Sequence, residues 1–192
     1  MMKRTIAMSI ILLIVMLITV ACDELGDVSD DMRTTTWGEE GMEWETLYRY
    51  ESETGLIGYV DTDGKIIIEP QFYWGHDFSE GLAFVKGVPG REDATGFIDV
   101  EGNLVIPLPT ALEARRFSEG FAAVSVREWE RPNPLIDGTS GPFIFINRAG
   151  QDVFGQEFLT TRAFENGYAR ITLLNGNERY IDRTGNIVRS RP

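Results

Sequence analysis

The chain has 192 residues, of which 43% are hydrophobic and 11% aromatic, a composition suited to one globular domain with a sizeable core. A single cysteine excludes an internal disulfide, and a single histidine excludes a histidine-based metal cluster or a conventional catalytic triad. The net charge of −12 repels phosphate backbones and argues against nucleic acid as a partner.

The first residues have the anatomy of an export signal. Lys3 and Arg4 precede an almost unbroken aliphatic run of about 15 residues, which is shorter than the roughly 20 needed to span a bilayer. The run ends in Ile-Thr-Val-Ala-Cys22, which resembles a bacterial lipobox. We therefore predict a signal peptide over residues 1–21 and lipidation of Cys22, for example with palmitate, which would anchor the protein to the membrane. A simple signal or an uncleaved anchor is the alternative.

The next segment, residues 22–43, is acidic and poor in aliphatic residues, and it has no hydrophobic periodicity. This composition predicts a flexible tether between the membrane and a domain over residues 44–192. Loss of residues 1–21 removes two basic residues and changes the net charge to −14.

The predicted domain consists of a repeated pattern. Its clearest copies begin at Gly58 and Gly96, each with glycine, an aromatic, an aliphatic, aspartate, two further residues and glycine. Phe-Ser-Glu-Gly follows each copy, at Phe78 and Phe117, and Phe164-Glu-Asn-Gly is a looser third instance. The pattern predicts four units of three strands. First strands are predicted at residues 47–50, 82–85, 121–126 and 168–173, second strands at 57–61, 96–99, 143–147 and 179–182, and third strands at 65–68, 103–106, 151–154 and 186–188.

The turn between the second and third strands has a side-chain oxygen three residues before a glycine. It can accept hydrogen bonds from the turn amides while the glycine takes a positive φ. Each unit is therefore predicted to be a short antiparallel meander, and the fold class is an all-β repeat array of about four such units, either open and solenoid-like or closed. The phenylalanines 78, 117 and 164 are predicted to pack between successive units. The linker over residues 110–116 has some helical propensity, enough for one or two turns at most.

The combination of Gly-aromatic-Ile-Asp-x-x-Gly with Phe-Ser-Glu-Gly resembles the bacterial WG-repeat (KWG) family over about residues 45–190. The Trp-Gly pair that names the family is absent from these copies, and Trp74-Gly75 falls in a predicted linker. The resemblance implies a β-repeat surface protein without established enzymatic chemistry, often on an exported or lipidated chain.

Several polar groups have both a structural and a functional interpretation. Asp61-Thr-Asp63-Gly has the look of a calcium loop but lacks the downstream glutamate, so a turn is favoured and no metal is expected. Glu80 and Glu119 recur at one repeat position, which favours a turn or cap role over catalysis. His76 is interpreted as a linker histidine because no nucleophile is placed beside it, and the basic pair at 115–116 as a solvated face.

The most irregular segment is the loop over residues 127–142 in the third unit. Insertions in repeat proteins often lie on the binding face, and tryptophan and arginine often dominate interfaces, although a drifting insertion is the alternative. The candidate binding residues are Trp129, Arg131, Pro132, Pro134 and Leu135.

The sequence therefore predicts a non-enzymatic binding module without a cofactor, exported and lipid-anchored in a bacterial cell envelope, with an envelope protein or glycan as its partner. An envelope-associated hydrolase and a structural envelope component are the alternatives. A cleft that gathers carboxylates from different units would favour the hydrolase.

Overall fold

Fourteen short strands form the secondary structure of residues 46–125 and 141–189, the residues that the computed structural model describes. Among these residues, no helix is long and apolar enough to cross a membrane. The strands make four antiparallel sheets. The first sheet contains β1 (Tyr48–Glu51), β2 (Ile57–Val60) and β3 (Ile66–Phe72). The second contains β4 (Trp74–Gly75), β5 (Ala83–Lys86), β6 (Gly96–Ile98) and β7 (Leu104–Pro107). The third contains β8 (Glu113–Ala114), β9 (Ala122–Ser125) and β10 (Phe143–Ile146). The fourth contains β11 (Thr160–Thr161), β12 (Tyr168–Thr172), β13 (Glu178–Asp182) and β14 (Ile187–Val188).

The predicted fold class is confirmed, because each sheet contains one repeat unit and each sheet is open with neighbouring strands in chain order. First and second strands of every unit pair in the antiparallel register of a meander, for example Phe84 opposite Phe97 and Ala169 opposite Ile181. Alternating side chains therefore point to the two faces of each sheet.

The predicted linkers contain three strands that the repeat pattern does not reveal. In the second, third and fourth sheets, β4, β8 and β11 pair with the first strand of the meander that follows them. The Trp74-Gly75 pair is thus part of a sheet rather than of a linker, and the weak helical propensity of residues 110–116 gives way to β8. Two-residue strands have no alternation to read from sequence, and the backbone groups of the adjacent strand stabilise them instead.

The predicted third strand at residues 151–154 is reduced to one β-bridge, in which Asp152 pairs antiparallel with Ile146, next to a hydrogen bond from the Val153 amide to the Phe145 carbonyl oxygen. The chain then bends, and the Oδ1 of Asp152 accepts hydrogen bonds from the amides of Phe154 and Gly155. The length of the third strand follows the residue in the neighbouring strand at the repeat position held by glycine in the first two units. A Cβ on Gly58 would lie 2.5 Å from the carbonyl oxygen of Ile68, so β3 requires glycine there. Ile144 and Arg179 occupy this position in the third and fourth units, where the third strand is limited to the bridge at Asp152 and to the two residues of β14.

Three hydrophobic layers separate the four sheets, and each layer is shared by two neighbouring units. The first layer contains Leu47, Ile57, Tyr59, Ile68, Phe72, Ala83, Val85 and Ile98. The second contains Leu82, Phe84, Phe97, Ile106, Ala111, Ala114, Phe117, Ala122, Val124 and Ile146. The third contains Ala123, Phe143, Phe145, Phe158, Phe164, Ala169, Ile171 and Ile181. Since no layer joins the first sheet to the fourth, the described units form a linear stack.

Position in this stack explains the burial of the second strands. In the middle sheets both faces are covered, so neighbouring residues such as Phe97 and Ile98 are both buried. At the same two positions in the end sheets only the inward residue is fully buried, Tyr59 in the first sheet and Ile181 in the fourth, and the outward Val60 is half-buried. Of the three predicted interlayer phenylalanines, 117 and 164 are buried as expected, whereas Phe78 is only half-buried and packs edge-on against Tyr59.

The predicted turn chemistry is confirmed in all four units. In the second unit, Asp99 Oδ1 accepts hydrogen bonds from the amides of Glu101 and Asn103, at 3.1 and 2.7 Å, and Gly102 has a φ of 87°. Asp182 makes the same turn, and the hydrogen bond from the Thr184 hydroxyl, followed by those from turn amides, lowers the pKa of Asp182 to about 2. These oxygens satisfy the turn, which is the role that the sequence favoured over calcium binding.

The Phe-Ser-Glu-Gly motif forms a two-residue hairpin turn that links successive units. Glu80 and Gly81 both have positive φ, as a type I′ turn requires. The Glu80 carboxylate accepts hydrogen bonds from the amides of Glu119 and Gly120 in the equivalent turn of the next unit, at 2.6 and 3.0 Å. Glu119 in turn accepts one from the amide of Gly167, at 2.9 Å. The predicted cap role of these glutamates is therefore confirmed, and the cap acts between units.

Two further side chains strengthen this connection, which we call the turn ladder. The hydroxyls of Ser79 and Ser118 donate to the carbonyl oxygens of Phe117 and Phe164 in the next unit, at 2.8 and 2.6 Å. The Arg148 guanidinium of the third unit donates to the Glu80 carbonyl oxygen of the second at 2.5 Å, although the two residues are 68 positions apart in sequence. The turn ladder thereby fixes the spacing of the interlayer phenylalanines.

Candidate functional site

A groove with a volume of about 390 Å³ crosses the edges of the second, third and fourth sheets. Its lining comes from Phe78, from Thr161 at the end of β11, and from the residues between β4, β8 and β11 and the interlayer phenylalanines. We call it the inter-unit groove and define it by His76, Asp77, Arg115, Arg116, Thr161 and Arg162. These residues come from equivalent positions in three successive units, so the stacking of the units brings them together.

Equivalent backbone hydrogen bonds in three units hold the residues that line the groove. The amides of His76, Arg115 and Arg162 donate to the carbonyl oxygens of Phe84, Ala123 and Arg170, which lie on the neighbouring strands of their own units. The three side chains occupy one repeat position, two residues before the interlayer phenylalanine. Fixed backbone geometry therefore presents one basic or imidazole side chain per unit.

The groove is cationic in an otherwise acidic protein. Arg115, Arg116 and Arg162 line it, and Asp77 is the one carboxylate among its described lining residues. Arg115 forms an ion pair with Glu113 at 2.8 Å and lies over the ring of Phe143. Exposed pairs of this kind contribute little stability, about 0–1 kcal/mol.

Arg116 and Arg162 are exposed, and neither forms an ion pair within residues 46–125 and 141–189. An arginine guanidinium presents a rigid, planar fork of donors that matches a carboxylate or phosphate. The two side chains are therefore available to an anionic group that enters the groove.

His76 forms the link between the groove and the packed interior. Its Nε2 lies 3.0 Å from the carbonyl oxygen of Ala114, and its own carbonyl oxygen accepts a hydrogen bond from Tyr59 at 2.8 Å. Burial lowers the pKa of His76 and the nearby Arg115 charge lowers it further, while the bond to Ala114 opposes them. The ring is therefore neutral at pH 7, and Nε2 carries the hydrogen because a carbonyl oxygen can only accept.

Thr161 borders the groove and is the least satisfied polar residue of the described chain. The side chain is only 4% exposed, and Oγ1 has no hydrogen-bond partner. A buried unsatisfied hydroxyl costs about 1–3 kcal/mol. The same repeat position holds Gly75 and Ala114 in the preceding units, so the hydroxyl is not a requirement of the scaffold.

A second cleft of about 280 Å³ adjoins the inter-unit groove and shares His76 with it. The Trp74 ring is 39% exposed and packs edge-on against the imidazole, with ring centroids 4.4 Å apart. Lys86 also lines this cleft and donates a hydrogen bond to the carbonyl oxygen of Leu112. The groove therefore continues into a partly apolar surface.

The residues predicted from sequence as a site lie elsewhere. Cys22 and the candidate binding loop with Trp129, Arg131, Pro132, Pro134 and Leu135 fall outside the described residues, so their roles stay predictions. Among the described residues no cluster of histidine, cysteine, aspartate and glutamate side chains could hold a metal ion.

Sequence reasoning missed the groove because it treated the basic pair at 115–116 and His76 separately. An alignment of the linkers on the interlayer phenylalanines puts His76, Arg115 and Arg162 in one column, as a search of the repeat phase could have shown. The interpretation of 115–116 as a solvated face is correct for exposure but incomplete, because both arginines face a shared groove.

Comparison with known protein families agrees with the repeat architecture. No characterised protein and no solved structure matches the chain. Residues 57–86 match the family model described as WG containing repeat. This segment runs from β2 to the end of β5 and therefore covers the junction between the first two units. The match supports the interpretation of the chain as a WG-repeat protein.

Proposed function

We propose that this protein is a non-enzymatic binding module, exported and held in the bacterial cell envelope by lipid on Cys22, which takes its ligand in the inter-unit groove. The observation that carries the proposal is the contrast between two sets of repeated polar residues. In the turn ladder, Glu80, Glu119 and the serines are matched to partners in the next unit. In the groove, Arg116 and Arg162 have no ion-pair partner within the described ranges.

The chemistry of the groove favours binding over hydrolysis. A hydrolase site would gather carboxylates from different units as acid, base or nucleophile. This groove gathers guanidinium groups instead, with the single carboxylate of Asp77. Its volume of about 390 Å³ falls in the range of about 300–1,000 Å³ that is typical of small-molecule sites.

Thermal denaturation in the presence of a panel of small metabolites and envelope glycans tests the binding role. We expect some compounds to raise the melting temperature of the wild-type protein, because a ligand that binds only the folded state stabilises it. The matched variant is Ala163→Trp, which fills the groove at the position where Arg116 already provides a long side chain in the preceding unit. Stabilisation that survives in Ala163→Trp, or turnover of a bound compound, would overturn the proposal.

The anchor is tested separately from the groove. Metabolic labelling with palmitate should mark the wild-type chain and not Cys22→Ala, and mass spectrometry should find Cys22 as the first residue of the mature protein. Retention of residues 1–21, or an unmodified Cys22, would contradict lipid anchoring without bearing on the groove.

A further inference from the structure

The groove carries information on the class of ligand as well as on its location. We propose that the inter-unit groove binds a small organic anion with one or two negative charges on carboxylate or phosphate groups, which Arg116 and Arg162 contact directly. This inference rests on the proposed binding function and specifies its ligand. Arg115 and the hydroxyl of Thr161 complete the set of donors.

The sign of the ligand charge follows from the lining. Three guanidinium groups face one carboxylate, that of Asp77, and His76 is neutral at pH 7 because burial lowers its pKa. The Glu113 carboxylate at the border offsets part of the Arg115 charge, at 2.8 Å. The remaining positive charge is thus between one and two units, which an anion of the same magnitude neutralises.

The small size of the ligand follows from the charge of the whole protein. A chain with a net charge of −12 repels a long polyanion over its surface, and this repulsion acts across a Debye length of about 8 Å at physiological salt. A small anion within the groove lies close to the arginines and encounters little of that field. The groove therefore selects compact anions over nucleic acids and other extended polyanions.

Thr161 provides an observation that is independent of the arginines. Thr161 lines the groove and is only 4% exposed, and its buried Oγ1 has no partner among the described residues, although each hydroxyl can donate one hydrogen bond. Buried polar groups in folded proteins are nearly always satisfied, so an unsatisfied one at a groove requires an explanation. An oxygen of a bound anion is an acceptor for this hydroxyl after a rotation about χ1.

Calorimetric titration of the full chain in detergent tests the ligand class. The probes are succinate as a dicarboxylate, glycerol 3-phosphate as a phosphate monoester, and succinamide as the neutral match for succinate. We expect at least one anion to bind, succinamide to show no binding, and the anion affinity to fall as sodium chloride is raised. Preference for one anion identifies whether the charge resides on carboxylate or phosphate.

Variants assign the contact to the groove. Arg116→Gln and Arg162→Gln should each weaken binding about 10-fold or more, since a charge-assisted hydrogen bond is lost. The matched control is Arg91→Gln, which removes the same charge from an exposed turn outside the groove. Ala163→Asp is a second test, which adds a negative charge to the groove instead of removing a side chain. Asp77 occupies the same repeat position in the second unit, so aspartate is compatible with the fold there, and we expect anion binding to weaken.

The outcomes separate this inference from the proposed function. Anion binding that is equal in Arg116→Gln, Arg162→Gln and Arg91→Gln would overturn the inference. Binding of neutral compounds that Ala163→Trp abolishes, without binding of either anion, would overturn the anion class and support the binding module. Failure of every compound to bind would overturn both.

Discussion

The carboxylate of Glu80 caps the backbone turn that begins at Glu119, with its two oxygens 2.6 and 3.0 Å from the amide nitrogens of Glu119 and Gly120. The φ of Glu119 is 53°, a left-handed conformation that is unfavourable for a residue other than glycine, asparagine or aspartate. One glutamate thus accepts that conformation in its own turn while it stabilises the same turn in the next unit. The Phe-Ser-Glu-Gly motif therefore connects each unit to the next one.

We predict that Glu80→Asn lowers the free energy of unfolding by about 1.5–3 kcal/mol, the usual contribution of hydrogen bonds to a charged group. Asparagine suits the left-handed turn, as Asn166 with its φ of 53° shows, but is too short to reach the next unit. Urea denaturation measures the loss. The control Asn166→Gly keeps the local turn and should change stability by less than about 0.5 kcal/mol. A similar loss in both variants would mean that the glutamate acts only within its own turn.

The turn ladder shows what the sequence could and could not reveal. A recurring Glu80 and Glu119 were enough to predict a cap, because recurrence at a scaffold position is not expected of a catalytic pair. The partner in the next unit was not predictable, since the bond joins residues 39 apart and depends on the stacking distance. The groove was not predictable for the same reason, because His76, Arg115 and Arg162 line one groove only when three units are stacked.

Local signals predicted the hairpin turns but not the shortening of the third strand in the third unit. Asp99 and its equivalents carry their own acceptor oxygens and therefore form the turn from local sequence alone. The longer third strand of the first unit depends on the close approach that Gly58 permits, whereas Ile144, at the equivalent position of the third unit, accompanies a third strand reduced to one bridge. Likewise β4, β8 and β11 owe their formation to pairing rather than to their own residues.

We predict that Phe117→Ala lowers the free energy of unfolding by about 3–5 kcal/mol. The ring is fully buried and packs edge-to-face against Phe97, with ring centroids 4.8 Å apart, so truncation leaves a cavity between the second and third sheets. Phe78→Ala, at the equivalent but half-buried position, should cost clearly less. Thermal or urea denaturation compares them, and a loss of under about 1 kcal/mol for Phe117→Ala would show that the ring does not hold the layers together.

We predict that Gly58→Ala disrupts the pairing of β2 with β3. The added Cβ would lie 2.5 Å from the Ile68 carbonyl oxygen and 2.7 Å from the Pro70 nitrogen, so the backbone of β3 must move. The cost expected from such overpacking is about 1–3 kcal/mol. Hydrogen exchange should show lost protection at the Phe72 amide, opposite Ile57.

Gly55→Ala is the control for that substitution. Gly55 has a φ of 79° and no atom near its Cβ position, so its replacement strains the turn without displacing a strand. We expect the Phe72 amide to keep its protection in Gly55→Ala. Equal protection in both variants would refute the close-approach explanation of the longer third strands in the first two units.

We predict that His76 titrates below the ordinary histidine value of about 6.5. Burial is the largest cause of the lower pKa, and the positive charge of Arg115 adds to it against the opposing bond to Ala114. Because His76 is the single histidine of the chain, proton NMR measures its titration without ambiguity. A pKa at or above about 6.5 would contradict the half-buried, neutral ring described for the groove.

The same shift sets a pH dependence of stability. Between the folded-state pKa and about 6.5 the unfolded chain binds more protons than the folded one, so stability rises with pH in that window. The contribution of His76 is therefore fully present above pH 6.5 and is lost as the pH falls through the folded-state pKa. His76→Gln keeps a donor for the Ala114 carbonyl oxygen but cannot titrate, and the difference between the wild-type and His76→Gln stability profiles isolates the effect. A constant difference between pH 5 and pH 7.5 would show that protonation of His76 is not coupled to folding.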